Sequence, residues 1–249
     1  MNAIYILWIR QLKRFIRKKA SVIGALGQPV IFLFAFGFGL SPMYSSATGG
    51  GDYIQFIAPG IIAMTVLFSS IFTGMEIIWD KQFGFLKETF VAPVSRFQIF
   101  MGKTLGGMSV AAIQGLLVFL VTLIAGFRPH SLAMLPVGLL IMLLVSFLFS
   151  ALGAAIAARL EDMQGFPLIF NFIIQPLFYL SGALFPVDNL PAVLSYITKV
   201  NPLTYGVDSM RYAFSGASAF SPVVSISVLL GVSVVTVLIG IYQFNKIEL

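Results

Sequence analysis

Cysteine is absent from this 249-residue chain, and histidine occurs once, as His130. Without cysteine there is no disulfide, no thiolate metal site and no cysteine nucleophile. A lone histidine in a short polar connection gives no histidine-based metal site and no Ser-His-Asp triad. Charge is also scarce: 10% of residues are Asp, Glu, Lys or Arg, against 59% hydrophobic. A soluble domain of this length needs more charge to cover its surface. No paired catalytic carboxylates are evident either, which speaks against an intramembrane enzyme.

What the chain has is apolar length. Mean hydropathy is +0.99, and apolar runs of about 20 residues, enough to cross roughly 30 Å of hydrocarbon, recur throughout. The expected class is an all-α integral membrane protein. Six spans are placed near residues 21–40, 53–79, 99–126, 133–157, 166–185 and 221–244. A polar, glycine-rich loop, SPMYSSATGGGD, separates the first two. The N-terminal segment has no small-residue cleavage pattern, so no cleavable signal is expected.

The net charge of +6 reads as a topology signal and not as a nucleic-acid surface, because the cations sit in short connections. With the N-terminus in the cytoplasm, twelve Lys and Arg lie inside and three (Arg128, Lys199, Arg211) outside. That bias puts both termini in the cytoplasm of a multi-pass, plasma-membrane protein, expected to be prokaryotic.

Residues 4–19, IYILWIRQLKRFIRKK, carry Ile4, Leu7, Trp8, Leu12, Phe15 and Ile16 at helical spacing. Arg10, Lys13, Arg14, Arg17 and Lys18 fill the other side. The pattern is that of an interfacial amphipathic helix, its cations toward anionic lipid headgroups. Near the other end, residues 186–220 are interrupted by Pro186, Pro191 and Pro202. They read as two short outer helices, lying on the membrane or re-entering it, the second capped by Asn201 with Pro202 at its first position. Ser146, Ser150, Ala154 and Ala158 form a small-residue face, and Gly102 with Gly106 a GxxxG; both suit close helix packing within one subunit.

The stretch FGFLKETFVAPVSRFQIFMGKT, residues 83–104, ends in Gly-Lys-Thr, the tail of a phosphate-binding loop. The required leading glycine would be position 97, which is Phe97. Without it the backbone cannot open to cradle phosphate, and no strand precedes. The stretch instead reads as helix, stop, helix. Phe83, Leu86 and Phe90 are expected on one side with Lys87 and Glu88 elsewhere. Ala92-Pro93 ends the first helix, and Ser95 with Gln98 forms a capping box for the next.

This passage resembles the segment between the second and third spans of type-2 ATP-binding-cassette (ABC) exporter permeases. NPLTYGVDSMRYAF (201–214) and PLFYLSGALFPVDNLP (176–191) are similar to two further family stretches, and the three occur in family order. The nearest subgroup is the daunorubicin-resistance and nodulation-protein-like permeases. The resemblance implies a permease, not an enzyme. Two such chains pair as a homodimer or with a sister permease. Each chain docks the helix at 83–91, within a cytoplasmic coupling segment 80–98, onto a separate ATPase subunit, two copies in all, which holds ATP and Mg, so no cofactor is bound by this chain. The coupling residues implied are Phe83, Leu86, Lys87, Glu88, Phe90 and Pro93. Where the family often has an acid, this chain has Lys81-Gln82, with Glu76 and Asp80 upstream, so the contact residues stay open.

Aromatics are dense in the second and fifth spans, and in that family these spans line the path: Phe68, Phe72, Asn171, Phe172, Gln175, Phe178 and Tyr179. A path so poor in charge suits a hydrophobic or amphipathic solute such as a drug, lipid or glycoconjugate, the multidrug-efflux type included. The alternative reading is an ATP-independent channel or adaptor.

Overall fold

The computed structural model describes residues 3–48, 50–187 and 190–247; Asp188 and Asn189, inside the 176–191 stretch, lie outside the described residues. Among the described residues every regular element is helical. In chain order they are α1 (Ala3–Arg17), α2 (Lys19–Gly39), α3 (Ser41–Thr48), α4 (Tyr53–Gln82), α5 (Phe85–Val91) and α6 (Arg96–Ile124). After a 3-10 turn at Leu132–Met134 come α7 (Leu135–Arg159), α8 (Gly165–Ile169), a π turn (Phe170–Ile174), α9 (Gln175–Tyr179), α10 (Ala192–Val200), α11 (Pro202–Ser215) and α12 (Pro222–Asn245).

Five of these, α2, α4, α6, α7 and α12, are long and apolar enough to cross a membrane. The fifth expected span is the exception. Its helical part covers 165–179 only and is broken by the π turn. At about 1.5 Å per residue it reaches roughly 22 Å, short of a 30 Å hydrocarbon core. The cause is local: Pro176, in the first turn of α9, has no N–H to donate backward, and the widened turn before it absorbs the misfit. Chain 180–187 then leaves as a turn, with Gly182 at φ +75°.

The expected glycine-rich loop also differs. Its first part is α3, with Pro42 in the first turn, where a missing N–H costs nothing. Tyr44 fixes it by ring contacts with Tyr53 and Phe56 at 5.0 and 5.6 Å.

Helix α4 is the centre of the bundle. Of its most apolar stretch 83% is buried, against 17% for α2, so α2 is peripheral. Small residues allow this burial. A Cβ built on Gly74 would overlap the Gly153 carbonyl oxygen of α7, and one on Gly153 would lie 2.9 Å from the Ile71 carbonyl oxygen. Backbones therefore touch where α4 crosses α7. The face Ser146, Ser150, Ala154 and Ala158 is buried, as its spacing predicts. The Gly102/Gly106 pair receives α1: a Cβ at either would be 2.8 Å from the Cβ of Leu7 or Gln11.

On the α11 side, Asn201 does two jobs. Its Oδ1 accepts from the Leu203 N–H at 2.9 Å, capping α11, and its Nδ2 donates to the Leu177 carbonyl at 2.6 Å. Arg211 donates to the Gly182 carbonyl at 3.0 Å and lies 4.2 Å over the Phe56 ring. Helix α11 is accordingly buried along most of its length, whereas α10 is largely exposed. Asp208 accepts from the N–H groups of Ala219 and Phe220 and from the Ser225 hydroxyl, setting the entry to α12. Burial pushes its carboxyl above the usual range, and these donors with Arg211 pull against that.

Gly74→Ala is expected to destabilise by about 1–3 kcal/mol or more, because the obstacle is backbone and cannot rotate away. Gly24→Ala, with open space around the new Cβ, is the comparison. Thermal unfolding of the two variants in detergent should show a lowered midpoint for the first alone.

Candidate coupling helix and transport face

The connection between α4 and α6 is short and closely determined. Gly84 sits at φ +80°, a left-handed conformation that glycine adopts without a Cβ penalty, and this reverses the chain into α5. Ala92 is extended before Pro93, ending α5. Ser95 and Gln98 then form the expected capping box: Ser95 Oγ accepts from the Gln98 N–H at 3.2 Å, and Gln98 Oε1 accepts from the Ser95 N–H at 3.1 Å.

The expected common side of Phe83, Leu86 and Phe90 is divided. Leu86 is 1% exposed and Phe90 half-buried, and these two, four residues apart, hold α5 against its own bundle. Phe83 precedes the Gly84 reversal and points out, 65% exposed. The outward surface of the segment is Phe83, Phe85, Lys87, Glu88, Val91 and Pro93. Phe85, absent from the expected set, is 49% exposed with Arg10 5.9 Å over its ring. Glu88 also borders a cleft of about 280 Å³ shared with Ala3, Ile6, Leu7, Thr89, Ala92 and Val94.

Arg96 fastens the base. One nitrogen of its guanidinium donates to the carbonyls of Phe244, Asn245 and Ile247 at 3.0, 2.8 and 2.9 Å, closing the end of α12. The same group lies 4.9 Å over the Phe90 ring. One side chain thus joins α5, α6 and α12. Its sequence signal was only a basic residue after a cap, which does not reveal carbonyls almost 150 positions away.

Beneath α5 lies an ionic cluster. Asp80 is 4% exposed and pairs with Lys103; Arg10 and Arg14 approach its other oxygen at 3.9 Å. Glu76 accepts from Gln11 Nε2 at 3.0 Å and faces Arg14 at 3.7 Å. The two acids upstream of the coupling segment are therefore engaged inside the chain. Lys103, the lysine of Gly-Lys-Thr, is 7% exposed and neutralises Asp80.

The aromatic residues of α4 and 165–179 interlock. Phe68 meets Phe170 and Phe178 at 5.1 and 5.6 Å, and Phe72 meets Phe170 and Phe166 at 4.8 and 5.8 Å. Phe68 and Phe178 are buried in this seam, so they form a wall and not a surface. Phe72, Asn171, Phe172 and Tyr179 are exposed, and Gln175 is half-buried. Among the described residues, the Asn171 and Gln175 side chains have no hydrogen-bond partner in the chain.

Residues 2–215 match the family model for the ABC-2 type transporter. The chain belongs to that family. It is 28% identical to nodulation protein J of Rhizobium leguminosarum bv. viciae over 217 residues, 86% of this chain and 80% of that protein. It is 27% identical to the inner membrane transport permease YadH of Escherichia coli (strain K12), covering 91% and 88% of the two chains. A similar 27% holds for the putative transport permease ycf38 of Cyanophora paradoxa, over 88% and 76%. An ABC-2 permease is a transport subunit. The match stops short of α12, and α5 with its ionic base falls inside it.

Removing one partner of the Asp80–Lys103 pair should cost about 3–5 kcal/mol, because a buried charge is left uncompensated. Asp80→Asn and Lys103→Met are each expected to lower the thermal midpoint sharply. The double variant should recover part of the loss. A double-mutant cycle on unfolding in detergent measures the coupling directly.

Proposed function

We propose that the chain is the transmembrane permease subunit of an ABC exporter, driven by ATP hydrolysed on a separate ATPase subunit. The observation that carries this is α5 with the reversal before it: a seven-residue helix, locked to the bundle by Leu86 and Phe90, that turns Phe85 and Val91 outward, with Phe83 exposed just ahead of Gly84. Three exposed apolar side chains on a connection so firmly fixed suit an interface better than water. The positive-inside count supports a cytoplasmic location for this end and for both termini. ATP and Mg then belong to the partner, which docks in two copies onto paired permease chains.

Pairing is supported by two exposed apolar faces, Ile31, Phe34 and Phe38 on α2 and Leu168, Phe172 and Ile173 on the broken segment. Symmetric pairs dominate among homo-oligomers. The solute class is hydrophobic or amphipathic: Phe72, Phe172 and Tyr179 offer apolar area, and Asn171 and Gln175 offer hydrogen bonds without charge. The channel or adaptor reading has no specific observation in its favour.

The test is Phe83→Ala combined with Phe85→Ala, since both rings are outside the core. Co-purification of the ATPase and transport-coupled ATP hydrolysis should fall together by about tenfold or more, the usual scale for losing aromatic anchors. Expression and thermal midpoint should hold. Ser46→Ala, in α3, is the control. Normal coupling in the double variant would refute the docking role of α5.

A further inference from the structure

The same end of the molecule carries more positive charge than its own acids neutralise. Arg10, Arg14 and Lys103 meet two carboxylates, Glu76 and Asp80, and Lys13, Arg17 and Lys18 lie beside Arg10 and Arg14 on the face of α1. Those acids are occupied by Arg10, Arg14 and Lys103. Lys13, Arg17 and Lys18 are exposed and have no carboxylate within ion-pair distance among the described residues. The negative end of α1 offsets only about half a charge, far less than the surplus.

These three do not form a loose basic brush. With Ile6, Ile9, Arg10 and Arg14 they line one open face along α1. The helix that carries it is fixed, because α1 is seated on Gly102 and Gly106 and the Trp8 indole donates to the Ser109 hydroxyl at 2.9 Å. Helix α1 ends at Arg17, so Lys18 stands at the break before α2. Tyr5, Ile6 and Ile16 are exposed apolar residues on the same helix, at 50%, 46% and 64%. Cations above an apolar floor match one chemistry, a negatively charged headgroup with acyl chains beside it.

We propose that Lys13, Arg17 and Lys18 form a headgroup site for anionic phospholipid of the cytoplasmic leaflet. Its floor is Ile6 and Ile9, and its rigidity comes from the α1–α6 contact. Lys13, Arg17 and Lys18 lie outside the docking surface assigned to α5, so they can be changed without touching it. Because Arg10 and Arg14 line it while holding Asp80 and Glu76, a bound headgroup lies one side chain away from α4.

Native mass spectrometry of the full chain, released by detergent from vesicles of equal phosphatidylglycerol and phosphatidylcholine, tests this without any ATPase present. The unmodified chain should retain phosphatidylglycerol in preference to phosphatidylcholine. Lys13→Gln with Arg17→Gln and Lys18→Gln should reduce that preference by about tenfold or more, as expected for losing three cations near an anionic headgroup. Lys87→Gln with Arg128→Gln and Lys199→Gln removes the same charge at other exposed positions and should leave it intact. Thermal midpoints confirm that both variants fold. The proposal is overturned if the unmodified chain shows no preference, if the α1 variant keeps it, or if both variants lose it equally. In a separate pull-down with the ATPase, an α1 variant that keeps its phosphatidylglycerol preference but no longer co-purifies with the ATPase would make the patch a protein contact and overturn the proposal.

Discussion

A buried carboxylate near the end of a membrane helix must find a cation, because hydrocarbon and packed protein offer it no water. Asp80 meets that demand from two sides. Lys103 reaches it from α6, and Arg10 and Arg14 reach it from α1. Three helices are thereby fixed at one level, just where the chain turns into α5. Glycine makes the arrangement possible, since α1 can approach α6 only over Gly102 and Gly106. The net stabilisation of such a cluster over an apolar equivalent is small, but the penalty for breaking it is large. Its consequence is mechanical: α5 stands on a base that cannot shift alone.

The far end of the bundle is organised differently, by neutral hydrogen bonds to a turn. Asn201, Arg211 and Tyr53 each donate to a carbonyl between Leu177 and Leu184. Gly60 lets Ala183 touch α4. This turn follows the apolar segment whose helical part, 165–179, is too short to cross the hydrocarbon by itself. The broken helix 165–179 is thus clamped at one end, and its exposed face carries the uncharged polar pair Asn171 and Gln175.

Much of this was legible in the sequence, and the reasons for what was not are specific. Long apolar runs announce α2, α4, α6, α7 and α12, because crossing hydrocarbon requires length and little else. Pro93, Ser95 with Gln98, and Asn201-Pro202 mark helix ends through local chemistry, and the structure has those ends. The fifth run is apolar throughout, so composition alone extends it to 185, while the chain breaks at the π turn and Gly182. Spacing alone groups Phe83 with Leu86 and Phe90, but spacing fails across a left-handed glycine such as Gly84. The Asp80–Lys103 and Arg96–α12 links depend on which helices meet, and helical periodicity does not encode that.

Because the chain has no cysteine, a single introduced thiol reports one position without background. Val91→Cys, at a site 87% exposed on α5, can carry a short photo-cross-linker in native membranes. If α5 is the docking element, the captured polypeptide is an ABC ATPase, identified by its peptides, and capture changes when ATP and Mg are added. An adduct with the ATPase from Ser46→Cys on α3, and none from Val91→Cys, would contradict the account.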